Sequence, residues 1–431
     1  MNSTNWLFPC PAPAAGQIVP GYYNAGSMMA DDRSGPTEED SRMQIVSGVG
    51  DRDFDDYLAL VLASGGKVYA RHEIGQNRFF TFSHGEKHYH VRYFPLRQEL
   101  RISEDSPKNA PEGFGYSGKG EEKPLVCQYG LYYDPYNRVT ETAVNCGMLY
   151  VIRLSDGSLF MVDGGILRQW REDAMDALWN FLCRITGAGE TGTVRIAGWY
   201  FTHTHDDHID GCIKLLNRHH DRIRLERFLF NFPHYPNVGG YSDSAIRVRE
   251  VAQQHYPDLQ VLKLHTGQCF SLCDMTVEVF YTHEDGVEKE DITRFPLIDT
   301  NCQSTILKLT MGGRSLMLLG DTNVETEDLL ARYPDPAPWK SDMVQLAHHC
   351  FNYLDTLYSW IAAPVVLVPN SYGGAHQPEN WQKLLTPEKY LKDGHIYYEG
   401  AGTDVLTPAE DGWRLTAHYP LTGGEYDFSG Y

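Results

Sequence analysis

The segment Thr202-His203-Thr204-His205-Asp206-Asp207-His208-Ile209-Asp210-Gly211 concentrates three imidazoles and several carboxylates in one short stretch. It follows Val194 to Phe201, a nearly continuous apolar run of the kind expected for a strand covered on both faces. Polar side chains at the end of a buried strand must all be satisfied, and a metal cluster satisfies them. Residues two apart in an extended stretch share a side, so His203 and His205 are placed to reach one ion. Asp207 and His208 fall where the chain turns into the next helix and are placed to reach a second ion nearby. Imidazole and carboxylate donors of this kind suit Zn, Fe or Mn.

Two ions need a shared ligand and donors from elsewhere in the chain. Ser315 to Leu319 is an apolar strand ending in Gly320-Asp321, which puts a carboxylate at its carboxyl end. Met343 to Ala347 ends likewise in His348-His349. Adjacent residues of an extended chain point opposite ways, so one of the pair is expected as a ligand. His348, directly after the strand, is preferred; His349 is expected to line the pocket or face the core.

In these features the chain resembles the metallo-β-lactamase superfamily: His203-x-His205-x-Asp207-His208, the upstream strand end Asp163-Gly164-Gly165, and Gly320-Asp321. The resemblance covers about residues 140 to 415. Asn301-x-x-Ser304, Leu318-Leu319-Gly320-Asp321, His348-His349 and the stretch Asn370 to Pro378 around His376 look most like the branch of DNA-uptake competence-protein domains and phosphorylcholine esterases. The resemblance implies an α/β fold, a four-layer αββα sandwich with two divalent metal ions at one edge of its sheets, Zn first and Mn or Fe as alternatives. Metal one would take His203, His205 and Asp321; metal two would take Asp207, His208, Asp321 and His348. Asp163 would hold the metal loop by hydrogen bonds. Many relatives carry a third histidine for metal one about 20 residues before the bridging aspartate, where this chain has Asn301, a weaker ligand. His283 is a more distant substitute. The branch's glycine after the paired histidines is Cys350 here, read as packing.

The implied activity is hydrolysis by a metal-bridging hydroxide, acting on a phosphodiester or another small ester. Asp207 would orient the nucleophile and take its proton, and His376 or His349 would donate to the leaving group. The competing reading of His376 is a loop histidine capping the helix that begins near Pro378. Lactone and thioester hydrolysis are alternatives within the fold. A di-iron oxygen reductase is a rival from another class, disfavoured by Thr204 and Asp206 at the intervening positions. A non-catalytic, metal-stabilised binding module is the third.

The elements that must position these residues are readable. Leu149 to Leu154 and Leu159 to Val162 form a hairpin about Asp156-Gly157. Leu167, Trp170, Ala174, Ala177, Leu178, Phe181, Leu182 and Ile185 give the next helix one apolar face until Gly187. From about residue 125 strands alternate with helices, so residues 125–431 are expected as the metallohydrolase domain. Residues 1 to about 45, rich in Pro and Gly, read as an extended arm. Residues 46–124 read as a small α+β region: a helix over Asp53 to Ala63, then an antiparallel meander through Val68 to His72, Phe79 to Phe82, His88 to Phe94 and Glu99 to Ile102. Glu104 to Lys123 is the candidate linker. This region is expected to cover the metal edge or to mediate dimerisation. His84, His88 and His90 read as an exposed hairpin rather than a further metal site.

The 431 residues, 42% hydrophobic, suffice for a substantial core. With 37 Lys plus Arg against 57 Asp plus Glu, the net charge of −20 disfavours nucleic acid and anionic lipid surfaces. The basic run Arg218, His219, His220, Arg222, Arg224 and Arg227 is the local exception, read as a solvated face. A small-molecule substrate is therefore expected, with a homo-oligomer allowed. No apolar run reaches a membrane-spanning length, and Met1 to Gly16 lacks a secretory pattern. Nine scattered cysteines argue for a reducing cytoplasm. Cys269 and Cys273 lack a second pair at zinc-ribbon spacing and are expected as small semi-buried residues.

Overall fold

Alternation along the strand Leu159–Asp163 shows why this chain builds layers. Leu159 and Met161 enter one apolar cluster, Phe160 and Val162 another, and all four are fully buried. In Arg314–Leu318 and the residue after it the same rule sends Leu316 and Leu318 to the second cluster, Met317 and Leu319 to a third. The second cluster thus lies between two sheets, and the other two lie on their outer faces. A computed structural model describes residues 5–25, 41–107, 115–131, 147–165, 172–189, 191–231, 243–293, 299–351, 354–376, 394–422 and 425–426.

Among the described residues one sheet has ten strands and the other eight. The helices Glu172–Thr186, Asp206–His219 and Ser244–His255 cover the first through Leu178, Phe181, Ile209, Leu216 and Val248. Val324–Ala331 and Asp355–Ile361 cover the second through Leu329, Leu357 and Ile361. This is the αββα sandwich expected from the resemblance. The hairpin Leu149–Arg153 with Leu159–Asp163 is antiparallel, and Val194–Tyr200 lies parallel beside Leu159–Asp163. Leu167 and Trp170 of the expected helix lie outside the described residues.

The amino-terminal region forms a seven-stranded antiparallel sheet. The meander is present as Lys67–Ile74, Asn77–His84, Lys87–Phe94 and Glu99–Asp105. The segment expected as an extended arm contributes strands too: Ser41–Ser47 pairs with Glu99–Asp105, and Gln17–Ile18 and Tyr23–Asn24 pair with Ser41–Ser47. Tyr116–Ser117, placed by sequence in the linker, pairs with Cys269–Cys273 of the eight-stranded sheet. Neither addition has a local signal, because both depend on partners distant in sequence.

One face of the amino-terminal sheet packs on the helix Asp51–Ala63 through Tyr89, Val91 and Tyr93. Strand alternation sends His88, His90 and Arg92 to the other face, which docks on the sandwich. The exposed-hairpin expectation therefore fails for His88 and His90, which are 8% and 3% exposed. His90 stacks on His265, with its Nε2 2.8 Å from the Thr266 carbonyl. Arg92 Nη1 lies 2.6 Å from Glu284 Oε2, and His265 Nδ1 is 2.8 Å from the same oxygen. Lys263 Nζ is 3.4 Å from Glu284 Oε1, and Asp105 bonds His265 Nε2.

Burial would raise the Glu284 carboxyl, but His265, Arg92 and Lys263 outweigh it and hold it well below the usual range. Its charge therefore stabilises the fold fully above about pH 4.5, and that contribution is lost only as pH falls through the lower folded-state value. Glu284→Gln leaves buried cations uncompensated and is expected to cost about 3–5 kcal/mol at neutral pH. A urea midpoint equal to wild type at neutral pH would refute this, as would a gap that widens in acid.

Candidate metal centre

Three strand ends and one helix start meet at one edge of the sandwich. Val194–Tyr200 delivers Thr202, His203 and His205, and the helix Asp206–His219 begins with Asp207 and His208 in its first turn. Arg314–Leu318 is followed by Gly320 and Asp321, and Met343–Gln345 by His348 and His349. Gly320 has φ +58°, and a Cβ there would lie 2.8 Å from the Cβ of Thr202. Only glycine lets these two strand ends approach so closely.

Two groups of donor atoms result, each with its atoms within 4.8 Å of one another: His203, His205 and Asp321, and Asp207, His208 and His349. Asp321 joins them. Its Oδ2 lies 3.7 Å from His203 Nε2, 3.2 Å from His208 Nε2 and 3.4 Å from His349 Nε2. His349 Nε2 is also 3.4 Å from Asp207 Oδ2. The sequence expectation for the paired histidines is reversed: His349, not His348, joins Asp207 and His208. The reason is the backbone. His348, His349 and Cys350 have φ of 49°, 52° and 62°, so the extended path assumed in preferring the residue directly after the strand has already ended. His348 instead lies beside Asn301, with Nε2 3.5 Å from the Asn301 amide nitrogen and 4.0 Å from Asp321 Oδ2.

Hydrogen bonds fix which ring nitrogen faces the centre. Asp163 Oδ2 is 2.6 Å from His208 Nδ1, while its Oδ1 accepts from the Thr202 amide at 2.9 Å and its Oδ2 from the Thr202 hydroxyl at 2.8 Å. His349 Nδ1 donates to the Pro369 carbonyl at 3.1 Å. In both rings Nε2 is left pointing inward, the orientation a metal-binding imidazole requires. Sequence reasoning placed Asp163 but not Pro369, nor Thr300, whose hydroxyl bonds His205 Nε2. It also missed Glu399, a buried carboxyl raised well above its usual range by burial against the lowering influence of His349, the Leu131 backbone and His208.

Carboxylates and imidazoles at the centre shift one another strongly. Burial would raise Asp321, but His208, His349 and His203 hold it well below the usual carboxylate range. Burial would lower His349, yet Asp321 and Asp207 lift it to about 10. His208 is likewise held well above its usual value, against burial, by Asp321, Asp163 and Asp207. Burial and the neighbouring His208 push His203 well below. Asp321 Oδ1 and Asn301 Oδ1 are buried without hydrogen-bond partners among the described residues. Ring nitrogens face each other closely, His203 Nε2 2.9 Å from His205 Nδ1 and His208 Nε2 3.2 Å from His349 Nε2. Converging lone pairs, an orphaned carboxylate oxygen and protons held against burial fit a site for cations with nitrogen and oxygen ligands.

The remaining expectations divide. Asn301, 5% exposed, contacts His348 and follows Thr300, whose hydroxyl bonds His205. His283 is buried elsewhere, between Tyr23 and Asn231. His376 stacks on Tyr372 and donates Nδ1–H to the Tyr372 carbonyl at 2.7 Å; it belongs to neither donor group, and Pro378 lies outside the described residues.

No protein-family model and no curated protein matches the chain. Solved structures to which it is similar include the metallo-β-lactamase fold protein YhfI from Bacillus subtilis, at 11% identity over 64% of this chain and 96% of that one, TM-score 0.36. A diphosphatase of the PhnP family matches at 12% identity over 64% and 94% of the two chains, TM-score 0.33. CmlA, a diiron β-hydroxylase from Streptomyces venezuelae, matches at 11% identity over 66% of this chain and 54% of that one, TM-score 0.34. With TM-scores this low, the fold rests on the chain's own layering and the chemistry on the distances within the site.

His349→Ala is expected to lower the bound metal by one equivalent, whereas His348→Ala retains it, as read by elemental analysis of the purified variants. Asp163→Asn is expected to weaken metal retention about 10- to 100-fold in chelator competition. Equal metal loss in the two histidine variants would contradict the geometric assignment.

Proposed function

We propose that this chain is a dinuclear metal-dependent hydrolase acting on an ester-type small molecule, foremost a phosphodiester. The observation that supports this reading is the shared carboxylate: Asp321 stands between two donor groups built from different strand ends. Divalent cations in such a donor set lower the pKa of bound water toward ~7 and polarise a substrate oxygen.

The chain's own residues supply the rest. Asp207 keeps 19% of its side chain exposed against 2% for Asp321, so it is the carboxylate that meets both solvent and the centre. Burial notwithstanding, His208 and His349 hold Asp207 below the usual carboxylate range, so it stays ionised and can accept a hydrogen bond from the attacking water and orient it. Asp163 keeps His208 in one orientation, and the Pro369 carbonyl does the same for His349. With His349 in the donor group, His348, 18% exposed, is the imidazole left to protonate a leaving group.

The resemblance to the competence-protein and phosphorylcholine esterase branch favours phosphate esters over lactones and thioesters. The basic run offers no free track for a nucleic-acid backbone. Arg218 lies 2.6 Å from Asp176, Arg224 and Arg227 lie 3.2 and 3.1 Å from Glu226, and Arg222 bonds the Gly192 carbonyl. These pairings support a small-molecule substrate.

Protein loaded with Zn, Mn or Fe is expected to turn over a generic phosphodiester, with Asp207→Ala lowering kcat/KM about 10²- to 10⁴-fold. Turnover confined to lactones or thioesters would move the substrate class. Oxygen consumption with iron would favour the di-iron reading, and tight metal binding without any turnover would leave a binding module. Unchanged turnover in Asp207→Ala would overturn the mechanism.

A further inference from the structure

Away from this centre, one other group of metal-type donors lies among the described residues, on the seam between the amino-terminal sheet and the sandwich. His72, Cys269 and Glu278 bring an imidazole nitrogen, a thiol sulfur and a carboxylate oxygen within 4.8 Å of one another. We propose that these three residues form a third metal site, for a thiophilic divalent cation such as Zn²⁺, that pins the edge strand of the amino-terminal sheet to the sandwich. The proposal stands apart from the reading of the dinuclear centre and does not depend on it.

The strands prepare this geometry. Cys269 and Glu278 are directly opposed in the antiparallel pair Cys269–Cys273 and Met275–Tyr281. Opposed residues place their Cβ atoms roughly 4.5–5.5 Å apart on one face. His72 comes from Lys67–Ile74, the edge strand of the other sheet. A register shift between Val68 and Ala70 precedes it, and a bulge of that kind re-aims the side chains that follow. His72 Nε2 ends 2.8 Å from Glu278 Oε1. All three donors therefore sit on strands, the rigid placement a metal site requires.

The neighbourhood leaves these donors available. Lys308 opposes Glu278 on the next strand, but its ammonium goes to the Pro338 and Lys340 carbonyls, each at 2.8 Å. The Glu278 carboxylate is thus left to His72. The side chains of His72 and Glu278 are 23% and 21% exposed, and His72 and Cys269 border a cleft with Thr81 and Gln268. An ion can enter, and a water can complete its fourth position. Bond lengths of about 2.0–2.3 Å set donor atoms around a tetrahedral ion roughly 3.3–3.7 Å apart, so a small widening of the His72–Glu278 contact accommodates it. The competing arrangement is an imidazolium–carboxylate pair with the Cys269 thiol as a second partner of His72.

The ligand sets separate the sites spectroscopically, since the two donor groups of the dinuclear centre contain no thiolate. Full-length protein stripped with a chelator is titrated with Co²⁺ and followed by absorption and metal content. Wild type is expected to develop a thiolate-to-cobalt charge-transfer band. Cys269→Ser is expected to lose the band and one equivalent of metal, while Cys350→Ser and Asp321→Ala keep the band. His72→Gln, which can still bond Glu278, is a second variant and is expected to lose the same equivalent. Absence of the band in wild type, its survival in Cys269→Ser, or unchanged band and metal content in His72→Gln would overturn the proposal.

Discussion

A carboxylate with almost no water organises the active edge of this protein. Asp321 is 1% exposed, and a bare negative charge at such a place is untenable unless cations surround it. Three imidazoles converge on one of its oxygens, and the other oxygen has no hydrogen-bond partner among the described residues. The rest of the edge follows from that demand. Gly320 is needed because any side chain there would strike Thr202, and Thr202 must stay close because its amide and hydroxyl hold Asp163. Asp163 in turn orients His208, one of the three rings that meet Asp321. A chain of single contacts therefore links a backbone φ angle at one strand end to a ring orientation at another.

The seam beneath the amino-terminal sheet obeys the same electrostatics with a different result. Arg92, Lys263 and His265 surround Glu284, and each charge already has a protein partner. Desolvation offsets much of the Coulomb attraction in such a cluster, so its net contribution to stability is modest while the loss of one partner is costly. What the cluster supplies is alignment. A sheet docked in another register would leave Arg92 or Lys263 buried and unpaired, a far worse state than the observed one. At the metal edge imidazole nitrogens and carboxylate oxygens converge on one another, whereas at the seam a guanidinium and an ammonium face the carboxylate; that difference in donor chemistry separates a site for ions from an ionic joint.

Much of the metal edge was legible because its information is local. His203, His205, Asp207 and His208 stand within one turn-sized segment, and period-two alternation plus a helix start suffices to aim them. Asp321 was legible for a related reason, since it follows an apolar strand and strand ends are where a sandwich gathers polar groups, whereas Asp163 entered through the family resemblance. The alternation of strands with helices gave a layered α/β architecture, and the four-layer arrangement came from the resemblance. His88 and His90 were misread because polar residues on a strand suggest solvent only when nothing covers that face. Here the sandwich covers it, and no local pattern carries that information. The strands Gln17–Ile18 and Tyr116–Ser117 failed likewise, being too short to have a period and defined by remote partners. His72, Cys269 and Glu278 come from separate strands in two sheets, so only the assembled topology brings them together.

The paired histidines fail for a more instructive reason. Three successive non-glycine residues, His348, His349 and Cys350, hold left-handed backbone angles, a conformation costing on the order of 1 kcal/mol or more at each. A cheaper path would continue the strand one residue further, aim His348 inward and turn His349 away. The observed path is held by interactions that the cheaper one would lose: the His348 amide donates to the Gly320 carbonyl, His349 Nδ1 donates to Pro369, and Asn370 donates to the His349 carbonyl. These bonds tie the Met343–Gln345 strand end to the Asp321 loop on one side and to the strand Val365–Val368 on the other. Local strain is thus offset by contacts between three neighbouring strand ends. The consequence is that His349 meets Asp207 and Asp321 together, a position a relaxed strand end would not give it.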